Sequence, residues 1–207
     1  MIKIGFIDDD KSLVDAYKTR LKRRDIELIF ADDCNTKEDV LKWIFKNEIK
    51  CMLVDYKLTQ AYSFMGTDLV AYLNSEVPDL PCIVLTNYCE EGIGENLVVE
   101  NMFIDRDVFD AEMGKPKFED FIKKLEQSVA VFENRLVKRN EEFLVLKEKK
   151  DSEEISSMEE ERFIHLYKIL RAYNEVDDIP SELLTSSASK KMSDILSALD
   201  KLIDRTN

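Results

Sequence analysis

The sequence predicts an α/β fold, a doubly wound five-stranded parallel sheet, followed by an all-α region that contains one long helix. Three observations lead there. Over the first half, short and nearly continuous apolar runs alternate with amphipathic stretches, the pattern of parallel βαβ units whose sheet is covered on both faces. Each of those runs ends on a polar residue. From Phe118 to Leu146 no helix breaker occurs, and apolar residues recur in two interleaved seven-residue series.

The elements follow in order. Ile2 to Ile7 is the first strand, closed by Asp8-Asp9-Asp10. Leu13 to Leu21 has helical spacing and ends among Arg20, Lys22, Arg23 and Arg24, where cations complement the helix dipole. Ile26 to Ala31 is the second strand. Asn35 is expected to cap a helix through Val40, Leu41, Ile44 and Phe45. Cys51 to Val54 is the third strand, ending at Asp55. A short helix covers Asp68 to Leu73. Pro81 to Leu85 is the fourth strand, ending at Thr86. A helix is expected over Glu91 to Glu100, then a fifth strand, Met102 to Ile104, ending at Asp105-Arg106.

In the second half, Ile122, Val129, Leu136 and Phe143 form one heptad series. Phe118, Leu125, Phe132, Arg139 and Leu146 form its companion, with Arg139 the charged exception. The long helix is expected over about 117–149, with the polar stretch Lys147 to Ser157 as a hinge or loop. Further helices are expected at about 159–174 and 189–204, separated by a break at Ile179-Pro180-Ser181. The expected domains are 1–127 and a helical region, 128–207. The heptad seam fits a parallel dimer coil or the first member of an intrachain bundle equally well, and Arg139 is the residue that would set register.

Composition narrows the function. The net charge is −13, and residues 1–117 and 118–207 are both acidic, by 8 and 5 charges. Phosphate-backbone binding depends on clustered basic charge, so nucleic acid is not an expected partner, and an acidic surface also suits anionic membrane poorly. A protein or a cation is expected instead. With five glycines and four prolines, the chain has little material for glycine-rich phosphate loops. The nearest fragment, Gly92-Ile93-Gly94, has Leu97 where a third glycine would stand. The four cysteines show no C-x-x-C spacing, and His165 is the sole histidine, so a Cys/His zinc cluster lacks ligands. The sequence opens directly on a strand pattern without a signal peptide, and no apolar run reaches the ~18 residues of a membrane span. The expectation is a reduced, cytoplasmic protein.

In doubly wound sheets, chemistry gathers at the carboxyl ends of the strands. Here those ends carry Asp8 and Asp9, Asp55, Thr86 and Arg106. Three carboxylates converging on one pocket repel one another and favour a cation. Mg²⁺ suits such a set, because it takes oxygen ligands and is usually held by one or two carboxylates with a phosphate. A carboxylate beside it can attack a phosphoryl group to give an aspartyl phosphate. A hydroxyl such as that of Thr86 and a cation from the fifth strand could then hold the phosphoryl oxygens.

Ile4-Gly5-Phe6-Ile7-Asp8-Asp9-Asp10, Met52-Leu53-Val54-Asp55 and Ile83-Val84-Leu85-Thr86, in this order, resemble the response-regulator receiver domain of two-component signalling. The resemblance covers residues 1 to about 127. It implies a flavodoxin-like sheet of order 2-1-3-4-5, with Asp55 as phosphoacceptor and Asp8 and Asp9 as the metal-binding pair. It makes the backbone carbonyl of Lys57 a further Mg²⁺ ligand, Thr86 the switch hydroxyl and Phe103 the aromatic that moves with it. It also implies a sensor histidine kinase or phosphotransfer protein as phosphodonor. The chain departs from the family at several points. Arg106-Asp107 stands where Lys-Pro is expected, with Lys115-Pro116 as the alternative. The loop after Asp55 is longer, reaching Gly66, and Asn87 follows Thr86 where a small residue is usual.

The resemblance implies a switch rather than an enzyme. The signal would pass along the helix from Phe118 into residues 118–207, which would contact a downstream protein or a second copy of the chain. A pseudo-receiver acting as scaffold is the alternative. A Mg²⁺-dependent phosphohydrolase would need a further general acid and a substrate cap that the sequence does not offer. His165-Leu166-Tyr167-Lys168 is similar to a phosphotransfer H-x-x-K motif, but Ile169 stands where that motif continues with Gly.

Overall fold

The computed structural model describes residues 1–110, 115–173 and 175–177. The chain divides into two compact units, Met1–Arg135 and a second unit from Leu136 on. The break expected at Pro180 and the helix expected at 189–204 lie outside the described residues.

The first unit is built on five strands, β1 (Ile2–Ile7), β2 (Ile26–Phe30), β3 (Met52–Val54), β4 (Cys82–Leu85) and β5 (Phe103–Ile104). They form one parallel sheet of order β2-β1-β3-β4-β5, as the resemblance implied. The intervening helices are α1 (Val14–Lys22), α2 (Lys37–Lys46), α3 (Gly66–Glu76) and α4 (Cys89–Gly94). One sheet face presents Ile4, Phe6, Leu28, Leu53, Ile83 and Leu85 to Val14, Tyr17 and Leu21 of α1 and to Phe118, Ile122 and Leu125. Each fully buried side chain of this size contributes about 1.5–3 kcal/mol by leaving water. On the other face α2 packs on α3, and α3 on β4.

Three local expectations change. The cap of α2 is Thr36, one residue past Asn35: its hydroxyl accepts from the Asp39 N–H while the Asp39 carboxylate accepts from the Thr36 N–H. The helix expected over Glu91–Glu100 is the single turn α4, followed by a 3₁₀ turn at Glu100–Met102 that takes Met102 out of β5. Gly92 and Gly94 explain this, since each glycine costs a helix about 1 kcal/mol relative to alanine. The polar stretch from Lys147 does not open a loop at once. Helix α5 runs from Pro116 to Asp151, 36 residues or about 54 Å.

All nine positions of the two heptad series are buried, including Arg139 at 8 % exposure. Phe118, Ile122, Leu125 and Val129 belong to the core of the sheet and α1. Phe143 and Leu146 pack with Phe163, Leu166, Tyr167 and Leu170 of α6 (Ser157–Ala172). The seam that the sequence left open between a dimer coil and an intrachain bundle is thus buried within this chain. In the second unit, the Phe143 and Phe163 rings stack at 4.8 Å. Arg162 donates twice to Glu142, at 2.8 and 2.7 Å. Ser156 and Glu159 close the turn into α6 with a capping box.

Candidate functional site

The strand order builds the site. β1 and β3 are neighbours with Ile7 opposite Val54, and the Asp55 N–H donates to the Ile7 carbonyl at 3.0 Å. The residues after both strands therefore emerge at one rim. Ligand atoms of Asp8, Asp9 and Asp55 all lie within 4.8 Å of one another. Asp8 and Asp55 are 3 % and 6 % exposed, while Asp9 is half-buried.

Arg106, directly after β5 and Asp105, reaches this cluster. Its Nη2 donates to Asp8 Oδ2 and to Asp55 Oδ1, the latter at 2.8 Å. Its Nε donates to the Leu85 carbonyl at 3.2 Å, which anchors the guanidinium to the end of β4. Lys115, the other candidate, is exposed just ahead of α5. The other Asp8 oxygen accepts from the Asp10 N–H at 2.8 Å. Asp9 Oδ2 accepts from the Gln60 N–H at 3.4 Å, so the enlarged loop after Asp55 folds back onto the acid pair.

Burial dominates the acidities. It pushes the Asp8 carboxyl up to about 6, against the opposing pull of the Asp10 N–H and of Arg106. Asp55 is also raised, by burial first, with Arg106 opposing. Burial works to lower the Arg106 pKa, but Asp55 and Asp8 outweigh it and raise the net value. Two carboxylates out of water beside a half-buried third make a site that gains from added positive charge. The oxygen-only donor set, with its ligand atoms this close, fits Mg²⁺.

Thr86 is fully buried, and its hydroxyl accepts from the Tyr88 N–H at 3.2 Å. Phe103 is half-buried and lies across Gly92 of α4: a Cβ on Gly92 would sit 2.5 Å from the Phe103 ring and 3.3 Å from that of Tyr56. Lys57 spans the two loops that flank the cluster, pairing with Glu91 at 3.0 Å and lying 3.4 Å from the Tyr88 ring centroid. His165 is half-buried on α6, in the second unit.

No sequence pattern singles out Glu95. Its carboxylate accepts from the Tyr56 hydroxyl, at 2.7 Å, and from the fully buried Thr67 hydroxyl. This clasp ties the end of α4 to the residue after Asp55 and to the first turn of α3. Gly66 is the tightest of the described glycines. Its N–H donates to the Tyr56 carbonyl at 2.8 Å, and a Cβ there would lie 1.9 Å from the Asp55 carbonyl oxygen.

The fold of the first unit, with its strand order β2-β1-β3-β4-β5, is similar to that of solved receiver domains. The first unit has the response-regulator receiver fold. A signal receiver domain of an HD domain-containing protein from Pseudomonas fluorescens Pf-5 is 14 % identical, with 65 % of this chain and 90 % of that one covered and a TM-score of 0.50. A CheY-like receiver domain from Methanospirillum hungatei JF-1 is 21 % identical over 65 % of this chain and 98 % of its own, with a TM-score of 0.47. A Thermotoga maritima response regulator in complex with Mg²⁺-BeF is 17 % identical over 60 % and 99 %, with a TM-score of 0.44. At these identities the likeness to receiver domains is one of fold. No protein-family model and no curated protein matches the sequence. Among the described residues no helix is long and apolar enough to cross a membrane.

Proposed function

We propose that the chain is a phosphorylation-dependent signalling switch of the two-component type, with Asp55 as phosphoacceptor. The convergence of Asp8, Asp9 and Asp55 at the strand ends, with Arg106 against two of them, carries this reading. Asp8, Asp9 and Asp55 would hold Mg²⁺, together with the backbone carbonyl of Lys57. When bound, the ion screens charge between Asp55 and the incoming phosphoryl group. An Asp55 carboxylate oxygen attacks phosphorus and forms a new O–P bond. The bond from phosphorus to the donor breaks, and the donor leaves with that electron pair. Arg106 pairs with the phosphoryl oxygens, and the Thr86 hydroxyl leaves the Tyr88 N–H to donate to one of them. Phe103, lying against Gly92, follows into the space beside Thr86, so the surface of α4 and β5 changes.

The donor in this reading is a sensor histidine kinase or phosphotransfer protein, in the cytoplasm. The output is a protein contact made through residues 118–207. Val137, Leu144 and Val145 are all more than half exposed on α5 and offer an apolar stripe for a downstream protein or a second copy. The cluster needs no turnover of a small substrate, so the protein is not read as an enzyme. One observation favours a second reading, a pseudo-receiver that takes no phosphate: the Arg106 guanidinium already satisfies Asp8 and Asp55.

The test is ¹⁹F NMR of the full chain with Mg²⁺ and beryllofluoride. A bound-fluoride signal that disappears in Asp55→Asn supports the switch. No signal in the wild type supports the pseudo-receiver.

A further inference from the structure

We propose that Arg106 is a built-in counter-ion that keeps a divalent cation out of the acid cluster until its guanidinium is displaced. The inference rests on reading the cluster as a metal site. A single nitrogen, Nη2, bonds oxygens of both Asp8 and Asp55, so the guanidinium engages two of the three carboxylates that would hold a divalent ion. The side chain is not a loose surface cation. It is 15 % exposed and is fastened through Nε to the carbonyl of Leu85, the last residue of β4.

Two further carboxylate oxygens of the cluster are engaged by backbone N–H groups. Asp8 has one oxygen on Arg106 and the other on the Asp10 N–H, and Asp9 accepts from the Gln60 N–H. A cation entering between Asp8 and Asp55 meets a fixed positive charge at contact distance, in a site poorly screened by water. A lysine could yield in two ways that are closed to arginine, by deprotonating or by retracting a single point charge. Guanidinium stays charged and holds its partners as a planar fork. Entry of the metal and release of Arg106 are therefore one exchange. A phosphoryl group on Asp55 would favour it, by giving the guanidinium a new anionic partner.

The experiment is Mn²⁺ binding by the full-length chain, read as free Mn²⁺ by electron paramagnetic resonance, with a thermal melt of each variant. Arg106→Gln is expected to bind Mn²⁺ at least tenfold tighter than wild type. Arg106→Lys is expected to fall between the two, and the double variant Arg106→Gln/Asp9→Asn to lose the gain. Unchanged or weaker binding in Arg106→Gln, or no binding in either protein, overturns the proposal. If Arg106→Gln does not melt cooperatively, Arg106→Lys decides: binding no tighter than wild type overturns it. Beryllofluoride capture by wild-type Asp55 separates the two claims. A wild type that captures it while Arg106→Gln gains no Mn²⁺ affinity loses the counter-ion and keeps the switch; the reverse pattern keeps the counter-ion and loses the switch.

Discussion

Replacing Gly66 with alanine tests how the backbone of Asp55 is held. The added Cβ would lie 1.9 Å from the Asp55 carbonyl oxygen and 2.8 Å from its carbonyl carbon, against 3.4 Å for ordinary contact. Both obstacles are backbone atoms, so no side-chain rotation relieves the clash. Either α3 retreats by about 1.5 Å or the turn after β3 deforms, and the Gly66 N–H to Tyr56 carbonyl bond is strained in both cases. Overpacking commonly costs 1–3 kcal/mol, and a collision with backbone belongs at the upper end, about 3 kcal/mol. For a unit of this size that is a fall in melting temperature of roughly 10 °C. Gly94→Ala is the matched control, because nothing lies within 4 Å of a Cβ there. It should be neutral or stabilising by up to about 1 kcal/mol. Thermal melts followed by circular dichroism read both. A Gly66→Ala protein that melts with wild type would refute the tight approach of α3 to Asp55.

Three further outcomes follow from the same geometry. Because burial raises Asp8 from 3.8 to about 6, its stabilising contribution is complete below pH 3.8 and is lost as pH rises through about 6. Asp8→Asn cannot ionise, so in urea melts its stability relative to wild type should rise by roughly 2.5 kcal/mol between pH 4 and pH 7; parallel profiles would contradict the burial argument. Glu95→Ala leaves the buried Thr67 hydroxyl without its acceptor and should lower stability by about 1–3 kcal/mol, while Thr67→Val on that background should cost little more. Phe143→Ala removes the stack on Phe163 and should cost about 3–5 kcal/mol, with hydrogen exchange faster in α6 and unchanged in β1 and β3. Faster exchange in β1 would show that the two units do not open separately.

The strands were legible because a covered parallel sheet demands nearly unbroken apolar runs, and their ends because acids cannot continue into it. The acid rim followed from that pattern once β1 and β3 were neighbours. The preference for Arg106 over Lys115 followed from its place at the end of β5, and the structure puts Arg106 against Asp8 and Asp55. Other features were hidden for physical reasons. Heptad spacing defines an apolar face without naming what covers it, so the α5 seam could not reveal that the sheet core and α6 share it. The helix expected over Glu91–Glu100 ends at Gly94, because two glycines within three residues weaken it. The Glu95 clasp joins residues 28 and 39 positions apart, and local pattern carries no trace of such a pair. The Gln60 contact arises from a loop longer than the receiver pattern, whose path only the folded chain defines.

The central claim is that Asp55 forms an acyl phosphate. The most direct measurement treats the full chain with Mg²⁺ and a small-molecule phosphodonor, traps the acyl phosphate with borohydride, and maps the reduced residue by peptide mass spectrometry. One modified site is expected, Asp55, absent in Asp55→Asn. Modification elsewhere, or none under conditions where the protein is folded, would contradict it.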